Sequence, residues 1–479
     1  MQSVKSVLVA LPLVLGVAHA AEVELSPSDD IRSLTQALGA GSIYNFNDGV
    51  YEIDNELLWT GEGTESEPII MRATPGASPV IRLVGTGGGG RVLRIDKAKF
   101  MRVSGLTFEV DDGRYEDLRD VGLQLSASSD VSVEDCTFRH LGGTGIYLPG
   151  DNSGVTITGT EVVDTRDGSG MWVGCGDASC WTQASEFSNN LIHDLKGSGG
   201  EAMYFSPGTQ GVQIVDNVIT NIRGRNGITV LSTEFGEQNI VERNVIWDVA
   251  NVGIVASGAA IIRNNVVFDV DVHALYSNNN RESLENLVIS FNTFANTGSS
   301  TVRVDNWAGS AGMVFANNAV ANPVGEAFRA DQGDLDEGHF FSTNLVTGQV
   351  AGLAELYPEG FAPAGGYYDF LDVEVFDYYP SSGSSLRNAG DPSSATWVPE
   401  VDFNGFDRNG AEPTVGAYEW VTKNNPGWLI AEEFKTEVDN SIDPTANTGG
   451  CCGDDKTPSE ALVLMFPLLG LGLLRRRRR

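Results

Sequence analysis

One short phrase, apolar-x-apolar-x-x-Asn-x-apolar, recurs between residues 189 and 346 and limits what this chain can fold into. It reads Asn189-Asn190-Leu191-Ile192, Asp216-Asn217-Val218-Ile219, Arg243-Asn244-Val245-Ile246 and Asn264-Asn265-Val266-Val267, then Phe291-Asn292-Thr293-Phe294, Asn317-Asn318-Ala319-Val320 and Thr343-Asn344-Leu345-Val346. The second residues are spaced by 27, 27, 21, 27, 26 and 26. A period in that range marks a solenoid. The phrase continues upstream without its asparagine, around Leu106, Cys136 and Thr160, which makes ten turns. Between the repeats lie short β-branched runs broken by Gly, Asn and Asp, with no helical period. Strands without helices to cover them must cover one another. The sequence therefore predicts an all-β, right-handed parallel β-helix of ten or more turns with caps at both ends. At about 4.8 Å per strand, ten turns make a rod on the order of 45 Å long.

The seven asparagines are expected to be turn residues that tolerate left-handed backbone and bond their own chain. Stacked, their amides form an asparagine ladder. No chemistry is assigned to them.

The ends speak of export. Residues 1–20 combine Lys5, an apolar run and Ala18-His19-Ala20, the pattern of a cleaved signal peptide. At the other end, Gly449-Gly450-Cys451-Cys452 precedes a polar spacer, an apolar stretch from Ala461 to Leu474 and five arginines. That stretch is short against the roughly 20 residues of a stable span. The three parts, in this order, resemble bacterial C-terminal sorting signals of the MYXO-CTERM and GlyGly-CTERM kind. The resemblance implies cleavage near Cys451 or Cys452 by a processing protease and transfer to the cell surface, the outer membrane or the extracellular space.

Cys175 and Cys180 share one loop and could close a disulfide; Cys136 falls on a turn as a buried thiol, and no spacing suits zinc. The formal charge of −33 becomes about −37 once residues 1–20 and 453–479 are gone, through loss of Lys5, Lys456 and five arginines against Asp454, Asp455 and Glu460. Such a surface repels nucleic acid. It also disfavours a polyanionic substrate unless a local basic patch overrides it.

Residues 21–90 hold Asn47-Asp48-Gly49-Val50-Tyr51 and Pro68-Ile69-Ile70-Met71-Arg72-Ala73. These phrases resemble the opening of secreted β-helix proteins that include alginate-lyase and chondroitinase-like polysaccharide lyases. Those lyases carry a Lys and an Arg behind a Glu-Ile-Ile-Ser-x-Lys-Ser phrase. Here the comparable turns read Glu201-Ala202-Met203-Tyr204 and Gly227-Ile228-Thr229-Val230, so that chemistry is not carried over.

After the repeats of 91–348 the periodicity stops. Residues 349–420 contain Asp402-Phe403-Asn404-Gly405-Phe406-Asp407-Arg408 and Val415-Gly416-Ala417-Tyr418-Glu419. Order and spacing resemble the closing motif of the choice-of-anchor Q domain, which implies a surface-anchored β-helix. The segment is expected to cap the open edge of the last turn. Asp402, Asn404 and Asp407 are also part of a calcium-loop pattern, the one cofactor the chain suggests. Residues 421–450 read as a polar linker before the sorting signal of 451–479.

A further strand aligns turn by turn through Tyr147, Trp172, Thr229, Val255, Arg303 and Arg329. The longest irregular pieces, 174–184, 232–238, 277–285, 306–312 and 332–338, follow this strand, where solenoids bind their ligands. Arg303 is expected to stack on Arg329 and Asp305 on Asp331. Either diagonal Arg–Asp pairs relieve the like-charge contacts, or the two carboxylates sit near the roughly 5–5.5 Å of a retaining glycosidase. In the second case the arginines orient substrate and Trp172 or Trp307 stack on sugar rings. His273 reads as a hydrogen-bonded structural residue. The expectation is a monomeric, exported protein that binds or processes an extracellular glycan; the alternative is a non-catalytic surface or adhesion protein.

Overall fold

Each repeat of the sequence is one winding of a right-handed parallel β-solenoid of about eleven turns in the computed structural model. It describes residues 22–436 apart from 35–37, 86–89, 232–235, 280–283, 332, 353–355 and 392–396. One winding carries three short strands, as in Gln213–Val215, Val218–Ile222 and Ile228–Val230. Each pairs in parallel register with its counterparts one turn before and after. Three sheets result. Their inward residues, Ile214, Ile219, Ile222, Ile228 and Val230 in this turn, are fully buried in one core that continues from Leu25 to Val346. Alternation along a strand does this: every second side chain points in, and the inward positions are the β-branched ones.

The bend from the first sheet into the second explains the repeated phrase. A residue with φ between 50° and 58° stands there in successive turns: Asn189, Asp216, Arg243, Asn264, Phe291, Asn317 and Thr343. The ladder asparagine is the next residue and lies outside the left-handed region, which corrects the expectation that it makes the turn itself. The left-handed residue reverses the chain. The asparagine after it points into the bend, fully buried. From Asn190 to Asn344 each Nδ2 donates to the Oδ1 of the next ladder member at 2.8–3.0 Å. The same Oδ1 accepts the previous member's backbone N–H at 3.0–3.1 Å. The second Nδ2 hydrogen reaches a strand carbonyl such as Phe187 or Ile214. The polar atoms of the ladder amides are thereby satisfied without water.

Only the first part of the C-terminal segment caps the last turn: Phe361–Pro363 pairs with Asn344–Ala351, and Tyr357 and Phe361 pack over Phe341 at the end of the core. The rest takes another place. It lies along the flank, against the outer face of the second sheet, where Leu191, Val218, Val245, Val266, Ala319 and Leu345 bury against Phe370, Tyr378, Phe403, Tyr418, Trp428 and Ile430. Residues 421–436 are no linker either: Trp428 and Ile430 are buried, and Lys435 Nζ donates to Asp216 at 2.7 Å and to the Phe403 carbonyl at 2.7 Å. The motif residues clamp this layer. Arg408 is buried and donates to the carbonyls of Thr414, Gly416 and Ala417 and to Asn264 Oδ1 on the solenoid. Asp402 accepts the backbone N–H groups of Asn404, Phe406 and Glu419. With its oxygens spent on its own turn, the calcium-loop reading of Asp402 gives way to a structural one. Among the described residues no helix is long and apolar enough to cross a membrane.

Candidate functional site

The third sheet keeps its outer face clear of the C-terminal layer. Its outward residues stack in register as Gln124, Tyr147, Trp172, Tyr204, Thr229, Val255, Tyr276, Arg303 and Arg329. Residues flanking these strands raise walls on either side. Together they enclose a groove of about 650 Å³ whose lining includes Trp172, Glu201, Tyr204, Arg225, Tyr276 and Arg303. Trp172 and Tyr204 pack with ring centroids 4.5 Å apart, a continuous aromatic floor over two turns. The loop after Trp172 is closed by a disulfide between Cys175 and Cys180, and its Gly176 lies against the indole. Cys136 is a free thiol at the ladder position of its own turn, buried and pushed up to about 12.

Glu201 is the residue the sequence reading passed over. It stands two positions before Met203, behind Gly199-Gly200, and only 8% of it is exposed. Its Oε2 is buried and has no hydrogen-bond partner. Burial pushes its carboxyl up to about 6; Thr229, Arg225 and Asn226 on the next turn pull the other way. Arg225 is exposed and forms no ion pair among the described residues. The signal available in the sequence was an acid in a column filled elsewhere by Asn226, Val252, His273 and Ser300.

His273 occupies the same column three turns on, about 14 Å away at 4.8 Å per turn, so the two are not a proton-transfer pair. Its Nδ1–H donates to the Ser300 carbonyl, and burial lowers its pKa. The ring is a neutral, fixed part of the wall.

The charged ladder at the end of the groove resolves into pairs. Arg303 Nε donates to Asp305 at 2.9 Å and its Nη2 to Asp331 of the next turn at 3.0 Å; Arg329 Nε donates to Asp331 at 3.0 Å. The Tyr276 hydroxyl donates to Asp305 at 2.9 Å. Asp305, Asp331 and Asp334 each bring an oxygen within 4.8 Å of the others, close to the spacing a retaining glycosidase needs. Protonation is another matter. The Arg329 hydrogen bond, against burial, holds Asp331 below the usual carboxylate range, whereas a general acid must keep its proton. The diagonal Arg–Asp pairs that relieve the like-charge contacts are thus present in the structure.

Trp307 is not a stacking platform. Asn306 before it takes φ 58°, which folds the indole into the core, where it is fully buried and Nε1 donates to Ser277 Oγ at 2.9 Å. Trp172 remains part-exposed on the groove floor. Cys451 and Cys452 lie outside the described residues, as do residues 1–20.

With this geometry in view, the family model for right handed beta helix regions matches residues 171–320, a span that contains the groove from Trp172 to Arg303. No curated protein matches the chain. Among solved structures, a mannuronic acid specific polysaccharide family 6 lyase from human gut microbiota shares 18% identity over 72% of this chain and 91% of its own, with a TM-score of 0.50. A GH136 lacto-N-biosidase from Eubacterium ramulus shares 12% identity over 69% and 68% of the two chains, TM-score 0.48. An alginate lyase from Paenibacillus sp. str. FPU-7 shares 12% over 59% and 95%, TM-score 0.46. At such identities the likeness is one of fold. The chain is a right-handed parallel β-helix repeat protein.

Proposed function

We propose that this protein is exported, displayed at the cell surface, and binds or processes a polysaccharide along the outer face of its third sheet. The observation that carries the reading is the groove itself: an aromatic floor at Trp172 and Tyr204, a second aromatic at Tyr276 beyond Thr229 and Val255, and polar side chains along the walls. A chain of sugar rings offers apolar ring faces and hydroxyl edges, and this alternation of flat aromatic and hydrogen-bonding groups matches both. Arg225 and Arg303 add cationic character in an otherwise acidic molecule. Arg303 is already paired with Asp305 and Asp331, so Arg225 is the cation left to meet an acidic sugar, and the family 6 lyase of similar fold acts on a mannuronic acid polysaccharide.

Export rests on residues 1–20, and surface display on the sorting-signal pattern of 451–479 joined to the choice-of-anchor Q motif. The layout proposed is a leader at 1–20, first strands at 21–90, solenoid at 91–348, a closing segment at 349–363, a flank layer from 364 to 436 and a processed tail beyond. The adhesion alternative draws on the Arg303–Asp305–Arg329–Asp331 network, whose charges are spent on one another.

A panel of neutral and acidic polysaccharides separates the readings. Reducing ends, absorbance of unsaturated products and retardation in affinity gels are scored for wild type and Trp172→Ala. At least one glycan is expected to be retained by wild type and released by the variant. Retention without cleavage favours adhesion; no retention of any glycan overturns the groove reading.

A further inference from the structure

Most buried carboxylates in this protein are spoken for. Asp120 is bound by Arg114, Asp402 by three backbone amides, and Glu419 by Thr414. Glu201 differs. It is more than nine-tenths buried, it lines the groove, and Oε2 has no donor from the protein. A desolvated carboxylate oxygen without a donor is costly to keep. A donor arriving with the ligand removes that cost.

The surroundings say what sort of donor fits. Asn226, one turn on, donates through Nδ2 to Thr229 Oγ1 at 3.1 Å and accepts from Asn251 Nδ2 at 2.9 Å. Thr229 and Asn226 also act on the Glu201 carboxyl by hydrogen bonding, yet Oε2 keeps no partner among the described residues. Arg225 on the same turn is the charged group that acts on Glu201 electrostatically. Asp167 on the turn before is occupied with the Gly199 N–H. On the floor beside Glu201 lie Tyr204 and Trp172, apolar in face. A neutral hydroxyl, held against an aromatic ring, suits the free oxygen. A cationic ligand group would meet Arg225.

We infer that Glu201, in its ionised form, accepts a hydrogen bond through Oε2 from a sugar hydroxyl seated on the Trp172–Tyr204 floor, and so makes glycan binding depend on pH. This rests on the reading of the groove as a glycan site and adds to it the residue and the ligand group. Because burial pushes the Glu201 carboxyl up to about 6, the acceptor is mostly lost at pH 5 and present at pH 7.5. Affinity should rise about tenfold between those values, the ratio of the ionised fractions for one group of that pKa. Binding below pH 6 should release a proton, since the ligand selects the ionised form.

The test uses mature protein and a set of tetrasaccharides, neutral (from cellulose, xylan and laminarin) and acidic (oligomannuronate and oligogalacturonate). Titration calorimetry is run at pH 5.0, 6.0 and 7.5 on wild type, Glu201→Gln and Trp172→Ala. For a tetrasaccharide that binds, wild type should show the tenfold rise and, at pH 6.0, an enthalpy that varies with buffer ionisation heat in the sense of proton release. Glu201→Gln should bind weakly at every pH with a flat profile. If wild type binds, Trp172→Ala weakens it, and neither a pH dependence nor proton release appears, Glu201 is not the acceptor and the groove reading stands. If no tetrasaccharide binds wild type at pH 7.5, both readings fall. Proton release needs no variant, so a Glu201→Gln protein that failed to fold would not protect the inference.

Discussion

Replacing Asn244 by leucine removes four hydrogen bonds from the middle of the ladder and tests whether that column holds the solenoid together. Asn244 Nδ2 donates to the Ile214 carbonyl at 2.8 Å and to Asn265 Oδ1 at 2.9 Å, while Oδ1 accepts from Asn217 N at 3.0 Å and Asn217 Nδ2 at 2.8 Å. Two of the four partners keep a second bond: Asn217 Nδ2 still reaches the Phe187 carbonyl, and Asn265 Oδ1 still accepts the residue 244 N–H. The other two, the Asn217 N–H and the Ile214 carbonyl, lose these bonds in the dry bend. At about 1–3 kcal/mol for each stranded group, the cost is about 2–6 kcal/mol. Leucine keeps the branching of asparagine, and its apolar transfer returns a part, leaving about 1–4 kcal/mol. With an unfolding entropy of roughly 2.1 cal/mol/K per residue over some 400 residues, the melting temperature should fall by about 1–5 °C. Solenoids unfold locally, so hydrogen exchange across residues 212–270 should report the loss sooner than the global melt. Gln213→Leu, at an exposed position of the neighbouring strand, is the control and should stay within about 0.5 kcal/mol of wild type. A melting temperature within 1 °C of wild type would refute the energetic role given to the ladder. A stable variant without glycan binding would refute its purely structural one.

Glu201→Gln should raise stability at pH 7.5 while leaving it unchanged at pH 4. The folded pKa of about 6 lies above the usual glutamate value of 4.5, so folding favours the protonated form, and stability is lost as pH rises from about 4.5 through 6. A shift of that size is roughly 2 kcal/mol, read from urea midpoints at the two pH values; a flat wild-type profile would count against the buried carboxyl. Arg408→Ala should strand Glu419 and Asp402 in the flank layer without their cation and cost about 3–5 kcal/mol. Tryptophan fluorescence from Trp420 and Trp428 should then change well before the β circular dichroism; simultaneous loss would mean the layer and the solenoid are one cooperative unit. Cys175→Ser with Cys180→Ser opens the loop against Trp172 and should cost at most about 2 kcal/mol, with weaker groove binding as the second readout.

The winding was legible because its two determinants are local and periodic. An inward β-branched residue every second position fixes the faces, and one asparagine per turn fixes the register, so Tyr147, Trp172, Thr229, Val255, Arg303 and Arg329 could be aligned before any coordinates. The flank layer was also written in the chain, in a way that was misread. The second-sheet strands are apolar on both faces, as Leu191-Ile192, Val218-Ile219, Val245-Ile246 and Val266-Val267 show, and a strand wetted on one side has no need of that. Such doubled pairs announce a second covering layer. The open edge of the last turn takes only Tyr357 and Phe361, and the aromatic residues from Phe370 onward cover these pairs.

The site was harder to read because its chemistry depends on what surrounds a side chain rather than on where the side chain falls. Register gave Asp305 and Asp331 their close approach, yet their hydrogen-bond partners decide how those charges are held. Those partners come from three turns and two residue types: Tyr276 and Arg303 on Asp305, Arg303 and Arg329 on Asp331. Trp307 shows the same limit in backbone form, for a single left-handed residue at Asn306 reverses inside and outside and the period-2 rule fails one step later. Glu201 combines both. It stands before its strand, where alternation assigns no face, and its burial is made by the neighbouring turns around Asn226 and Thr229. An acid held there against a desolvation cost that glutamine would not incur is the kind of local inconsistency that folding alone does not explain, and a ligand that supplies the missing donor does.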